Sequence, residues 1–349
     1  MHPLAMALVA ALLFGASTPA SKLLLRDLTP SQLAGLLYLG AALATGPLAR
    51  RDRSKRAKRP LDRRSAWRLA GAVLLGGLVG PVLVLLALRS ASSASVALLL
   101  NLETAATAAL GVLLFRERMG ACGWLGVATG LAAAALLAGG SGLPGVRAGM
   151  LVALACLAWG LDNHWTALID GLGPAETTTC KGLVAGAANL LLGLALAPLQ
   201  ASWTTIGGAL VVGALSYGAS IVLYVLASHH LGATRAQVAF SSAPFLGAGL
   251  SFLLLGEPCG PRHGWAGALL AVGVVLLFLD RHEHTHTHPA LEHVHSHRHD
   301  DGHHDHVHPG LPPGTRHTHL HRHEERVHRH RHLPDLHHRH THREQDSGR

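Results

Sequence analysis

Hydrophobic and polar positions divide the first 280 residues into ten apolar stretches with short polar breaks, and at Asp280 the pattern stops. The stretches run roughly 4–21, 33–49, 66–88, 91–114, 120–138, 148–169, 178–198, 205–227, 234–255 and 264–280. A bilayer core asks about 17–25 largely apolar residues of a helix, and each stretch meets that length. The apolar–polar alternation of an outer-membrane barrel is absent. The pattern predicts an all-α polytopic membrane protein with ten transmembrane helices. Ser17-Thr18-Pro19-Ala20 offers the small residues of a cleavage site, but only Met1-His2 precedes the first stretch, without the usual Lys or Arg. It reads as a first span.

The breaks set an orientation. Arg50, Arg51, Arg53, Lys55, Arg56, Lys58, Arg59, Arg63 and Arg64 crowd the connection between spans two and three, and such a loop stays in the cytoplasm. Alternate counting puts both termini on the cytoplasmic side of a cell (inner) membrane. Arg116 and Arg118 agree, whereas Lys22 and Arg26 fall on the outer side. Trp67, Trp124, Trp203 and Trp265 stand near span starts, where interfacial aromatics belong. The formal charge of +9 comes from these flanking cations, so nucleic acid is not an expected partner. Lipid bilayer is, and a homodimer is compatible. Cys122, Cys156, Cys180 and Cys259 form no Cys-x-x-Cys pair and read as small packing residues.

An echo runs through the apolar part at an offset of about 140 residues. Leu113-Leu114-Phe115-Arg116-Glu117 is answered by Leu253-Leu254-Leu255-Gly256-Glu257, Gly123-Trp124 by Gly264-Trp265, and Phe14-Gly15 by Trp159-Gly160. The division is residues 1–138, a linker at 139–147, residues 148–280, and a tail at 281–349. Five spans per copy is an odd number, so the second copy inserts upside down, the inverted-repeat plan of alternating-access carriers.

Leu102-Glu103-Thr104 through Arg116-Glu117-Arg118, and Ala243-Pro244 through Gly256-Glu257-Pro258, resemble the paired signature of the EamA-like ten-helix transporters in the drug/metabolite transporter superfamily. The resemblance covers about residues 4–280. It implies a carrier of small metabolites and leaves the solute open. The family commonly places proline after the first glutamate, where this chain has Thr104, so span four is expected to lack a kink that Pro244 gives span nine.

Ionisable side chains at membrane depth are costly and by default functional. Glu103 lies mid-span, with Thr107 one turn on along the same stripe. It either carries a proton or meets a cationic solute, or it only holds a neighbouring helix. Asp162 and His164 in span six are about 200° apart on a regular helix and cannot share one site, although either can face a central cavity. Glu117 and Glu257, each ending a span beside a turn, read as architectural, and Lys22 as a snorkelling cation.

The tail holds 23 of the chain's 28 histidines. Its imidazoles alternate at His282, His284, His286 and His288, again at His293, His295, His297 and His299, and continue at His303, His304, His306 and His308. Further runs lie at 317–323 and 328–332. Nitrogen ligands at this spacing suit labile Zn, Ni, Co or Cu, without a required cofactor. Too few apolar residues are present to offset chain entropy, so a disordered tail is expected. It either handles metal or is a low-complexity extension that binds metal incidentally.

No Gly-x-Ser-x-Gly elbow, His-Glu-x-x-His or phosphate loop occurs, so an enzyme is not expected. The leading expectation is a secondary exporter of small metabolites or divalent metal ions with a cytoplasmic metal-binding or sensing tail. The alternative is a membrane-anchored metal buffer or sensor that transports nothing.

Overall fold

The computed structural model describes residues 2–55, 61–115, 119–140, 142–169, 171–231 and 233–280, together with the backbone of four tail segments, 283–288, 291–297, 317–323 and 326–331. Among the described residues ten helices are long and apolar enough to cross a membrane: Pro3–Leu24, Pro30–Arg53, Arg63–Ser90, Ser93–Phe115, Ala121–Gly139, Gly142–Ala167, Pro174–Leu196, Trp203–Ser228, Ala236–Leu255 and Pro261–Leu279. They are spans one to ten. Several outrun the apolar stretches, because helical hydrogen bonding continues through polar flanks such as Arg50–Arg53. Span six begins at Gly142, so most of the expected linker at 139–147 is helix.

Starts and stops follow local chemistry. Pro3, Pro174 and Pro261 open their helices, where a missing N–H costs nothing. Asp62 caps span three by accepting from Ser65 N at 3.0 Å, and the Ser65 hydrogen bonds hold its carboxyl below the usual carboxylate range. Gly256 ends span nine with φ of 63°, a left-handed conformation that favours glycine.

Many large apolar side chains face outward, and small residues are prominent among the fully buried ones beside leucines such as Leu33 and Leu88. Leu113, Leu143, Trp203, Leu253 and Trp265 are exposed, while Ala7, Ala10, Ala185, Ala209, Ser93 and Ser251 are completely buried. Helices in lipid gain nothing by hiding leucine from leucine-like tails, so close backbone approach decides their packing. At Gly15 a Cβ would lie 2.3 Å from the Ala243 carbonyl oxygen of span nine, and at Gly160 one would lie 3.2 Å from Thr107 N of span four. These two glycines are the pair matched in the sequence echo.

The main contacts recur in the same way. Span one packs on eight and nine, and span six on three and four; span two meets eight, and seven meets three. Two pairs with seven, four with nine, and five with ten, while five also meets six.

Connections segregate to two ends. At one end the Glu257 carboxylate accepts from Ser93 N and Ala94 N at 2.7 and 2.8 Å, Thr205 donates to Asp27, and Arg262 donates to the Gly140 carbonyl. Lys22, expected to snorkel, instead donates to the Leu88 and Ala91 carbonyls that end span three. At the other end Gly120 N donates to Asp280 and Arg68 to the Leu168 carbonyl. Glu257 thus has the architectural role expected of it, whereas Glu117 lies outside the described residues.

Five spans depart from regular helix among the described residues, and span one does so at Ala16, between Pro3–Gly15 and Ser17–Leu24. Span three is π-helical at Val73–Val79 and span eight at Ala214–Ala219, at the offset of the sequence echo. Span nine breaks at Ser241–Ser242, between Ala233–Phe240 and Ala243–Leu255. Span four also breaks, at Leu100–Asn101, which corrects the expectation that Thr104 leaves it unkinked. Buried Asn101 supplies the reason: its side-chain amide donates to the Leu98 carbonyl at 3.0 Å and competes with the helix ladder.

In the tail the described segments are strands β1 (Glu283–His288), β2 (Leu291–His297), β3 (His317–His323) and β4 (Arg326–Arg331). β1 pairs antiparallel with β4, and β2 with β3. No fixed fold was expected here; the alternation of His with Thr, Val or Arg is a period-two pattern, which strand pairing accommodates. His282, His299, His303, His304, His306 and His308 lie outside the described residues.

Candidate functional site

Span three supplies the scaffold. Pro81 has no N–H for the Gly77 carbonyl one turn back, and at the end of the π segment the Gly80 amide reaches past Gly76 to the Leu75 carbonyl. Two backbone acceptors are thereby released at membrane depth, where leaving them bare is expensive. Tyr38 of span two donates its hydroxyl to the Gly76 carbonyl at 2.7 Å, and the Trp159 indole of span six donates to the same oxygen at 3.0 Å. Asn189 of span seven donates to the Gly77 carbonyl at 3.1 Å. One proline thus draws three neighbouring spans onto span three.

Span six runs unbroken from Gly142 to Ala167 and distributes consecutive polar side chains to different partners. Asp162 is buried and takes both oxygens to Lys181 Nζ of span seven, at 2.6 and 2.5 Å, while Thr166 donates to it at 2.8 Å. Gly76 leaves the room for that carboxylate, since a Cβ there would collide with Asp162 Oδ2. Asn163 turns to span four and donates to Glu103 Oε1 at 2.9 Å and to Thr107 Oγ1 at 3.4 Å. His164 stacks on Phe115 with ring centroids 4.2 Å apart, and its Nδ1 lies 2.8 Å from the Gly160 carbonyl oxygen.

Glu103 and Thr107 are therefore brought together, and Asp162 and His164 diverge. Glu103 stands in the first turn of Leu102–Phe115, behind the Leu100–Asn101 break, where the helix start favours a negative charge. Glu103 is half-buried and Asn163 is exposed, whereas in the ion pair Asp162 is buried beside a half-buried Lys181.

Beside these groups a cavity of about 20 Å³ lies among spans one, two, three, four, six and eight. That is room for little more than a water molecule. Its lining is mixed: the rings of Phe14, Tyr38, Trp159 and Tyr217, the hydroxyls of Ser17, Thr18 and Ser21, and aliphatic side chains, chiefly of span three. Tyr217 and Tyr38 stack with centroids 6.0 Å apart, and Phe14 meets Tyr217 edge-on at 5.6 Å. Among residues whose side chains are described, no group of three or more His, Cys, Asp or Glu is placed to hold a metal ion.

Sequence reasoning missed Lys181, the partner role of Asn163, and the Tyr38–Trp159–Asn189 set. Two signals were available: a lysine inside the span-seven apolar stretch, and Pro81 four residues after Gly77.

An uncharacterized transporter of Methanothermobacter thermautotrophicus is 26% identical over 293 residues, spanning 78% of this chain and 84% of that protein. A crystal structure of another protein, 19% identical, superposes with a TM-score of 0.56 over 79% of this chain and 98% of its own. That likeness concerns the fold alone. The family profile of the EamA-like transporters matches residues 2–139 and again 147–279. With ten apolar helices and two matched stretches spanning most of its length, the chain belongs to the EamA-like transporter family, as a multi-pass membrane transporter.

Proposed function

We propose that this transporter is a secondary carrier of the cell membrane that moves a small organic solute outward, with Glu103 taking up and releasing the coupling proton. The carrying observation is Glu103 itself. A half-buried carboxylate stands at the start of a broken helix, at membrane depth, hydrogen-bonded by a neutral amide and without a cationic partner in hydrogen-bond range among the described residues. Asp162 is matched by Lys181 and is the less suited to cycle. Thr107 helps hold Asn163, and His164 backs span four through Phe115.

A lining of rings, hydroxyls and aliphatic side chains favours an organic solute over a metal ion, because imidazole, thiolate and carboxylate are what divalent transition metals select. At its present volume the cavity holds no metabolite, which suits a closed stage of an alternating cycle. The recurring contacts and paired π segments support two copies, residues 1–138 and 148–280, inserted in opposite senses. The cation-rich loop after span two supports cytoplasmic termini. The tail, in this reading, binds Zn, Ni, Co or Cu on the cytoplasmic side through its histidines.

Proteoliposomes with an imposed proton gradient test the reading, offered amino acids and other small metabolites in one series and Zn, Ni, Co and Cu in another. Gradient-driven movement of an organic solute is expected. Movement of metal ions alone would overturn the solute assignment.

A further inference from the structure

We propose that Glu257 is the latch of a gate at the end of the bundle opposite the chain termini, and that this structure holds that gate shut while the end beside Glu103 is the one set to open. The proposal rests on the carrier reading given above and depends on neither the solute nor the coupling proton.

The latch joins the two copies. Glu257, just beyond span nine, places one carboxylate oxygen on Ser93 N and the other on Ala94 N, at 2.7 and 2.8 Å. A helix leaves its first amides without internal partners, and a carboxylate that accepts from two of them makes two charge-assisted bonds. Ser251 Oγ lies 2.9 Å from Ser93 Oγ, and His263 Nε2 lies 3.1 Å from Ser95 Oγ. Gly260 N donates to His263 Nδ1, so the neutral ring carries its proton on Nε2 and donates to Ser95. Three consecutive residues of the first copy are thus held by three side chains of the second. Lys22 of span one binds the Leu88 and Ala91 carbonyls just before them. Ser21 and Leu88 line the cavity, and so does Leu100, where the latched segment ends, so the latched layer borders the cavity.

The two ends of the bundle differ. At the offset of the sequence echo, Ser93–Leu99 corresponds to Ala233–Phe240, and Leu102–Phe115 to Ala243–Leu255. Two equivalent contacts between spans four and nine follow from that correspondence, one at each end. The contact at the Glu257 end is made: Ser93–Leu99 packs on Ala243–Leu255, and all seven of its residues are buried. At the other end no packing of like extent joins Leu102–Phe115 to Ala233–Phe240 among the described residues. Leu102–Phe115 lies mainly on spans five and six, and three of its fourteen residues are buried, Leu102, Ala105 and Gly111. Its Glu103, Thr104 and Thr107 are half-buried, and polar groups at membrane depth turn to a cavity rather than to lipid. In an inverted repeat the two ends exchange roles, so parting the Glu257 contact and forming its counterpart gives the opposite state. The breaks at Leu100–Asn101 and Ser241–Ser242 supply the hinges.

The test is side-selective labelling of the full-length chain in sealed membrane vesicles of either orientation, with sides assigned by a peptide tag on the C-terminus. The four native cysteines are replaced by alanine, and the reporter is S21C, because Ser21 is buried and lines the cavity. A charged, membrane-impermeant maleimide is the probe. With Glu257 intact, labelling from the side opposite the tag is expected to be slow. E257A should speed it about tenfold or more, as expected of losing two charged hydrogen bonds, and should not speed labelling from the tagged side. E257Q keeps one accepting oxygen and should fall between. Fast labelling opposite the tag with Glu257 intact, no acceleration in E257A, or equal acceleration from both sides, which marks a loosened fold, would overturn the latch. A second readout serves if E257A does not fold. S93C/S251C in the same background should oxidise readily to a disulfide, since those side chains meet in the shut state, and adding E257Q should slow that oxidation several-fold. Equal oxidation rates with and without E257Q would also overturn the latch. Either failure leaves the Glu103 and organic-solute assignments standing, because no measurement here uses a solute or a proton gradient.

Discussion

Asp162 and Lys181 are opposite charges held about as tightly as such groups can be, and they sit where each alone would be intolerable. Removing one partner of a buried pair leaves an uncompensated charge, at about 3–5 kcal/mol, while replacing both with apolar groups is often close to neutral. Asp162→Asn is therefore expected to unfold at markedly lower temperature, and D162L/K181M to regain most of the loss; thermal unfolding followed by size-exclusion fluorescence reads both. Glu103 should behave in the opposite way. Its partner is a neutral amide, so Glu103→Gln keeps a hydrogen bond to Asn163 and the folded protein, while proton-driven flux falls to the leak rate and solute exchange without a gradient survives. Normal gradient-driven flux in that variant would remove Glu103 from coupling. At this scale the sequence was half legible. Glu103 and Asp162 stand out because charge inside an apolar run is conspicuous. Lys181 is equally conspicuous inside the span-seven stretch, but that its partner is Asp162 of span six is something no local pattern states.

The spans were readable, whereas of their interruptions only the span-nine break beside Pro244 was, for one physical reason. Apolar length is a property of a segment, whereas a break depends on what receives the freed backbone groups. Pro81 is visible in the sequence, but its effect reaches Gly76 and Gly77 and is stabilised only because Tyr38, Trp159 and Asn189 arrive from other spans. Asn101 breaks span four without any proline at 104. Small residues follow the same logic: the sequence shows many glycines, and the structure shows which ones a neighbour presses upon. Gly15→Ala drives a methyl group against the Ala243 carbonyl and must shift span one from span nine, so folded yield and thermal stability should fall sharply. Gly207→Ala in span eight meets nothing within 4 Å and gains helix propensity, so it should be neutral or slightly stabilising. Equal behaviour of the two variants would mean that backbone approach between spans one and nine does not limit stability.

Across the whole molecule, the two matched stretches form a contact network closed by span pairs two–seven, four–nine and five–ten, and the tail adds nothing to that closure among the described contacts. The junction has its own lock at Asp280, whose carboxylate accepts from Gly120 N at 2.8 Å at the start of span five. Truncation after Asp280 keeps that lock, so the shortened chain should insert, remain monodisperse and carry solute at close to the full-length rate in metal-free buffer. Addition of zinc separates the roles of body and tail. If the tail senses metal for the carrier, micromolar zinc should change flux in the full-length protein and leave the truncated one untouched. If it only buffers metal, flux should be indifferent to zinc in both, while cell zinc tolerance follows the tail. A truncated body with no flux under any gradient, beside an active full-length protein, would contradict the division, because it would make the tail part of the transport path. The same preparation checks orientation. Cysteine substitutions at Arg51 and His295 should be labelled from the same side of sealed vesicles, since an even number of crossings separates them.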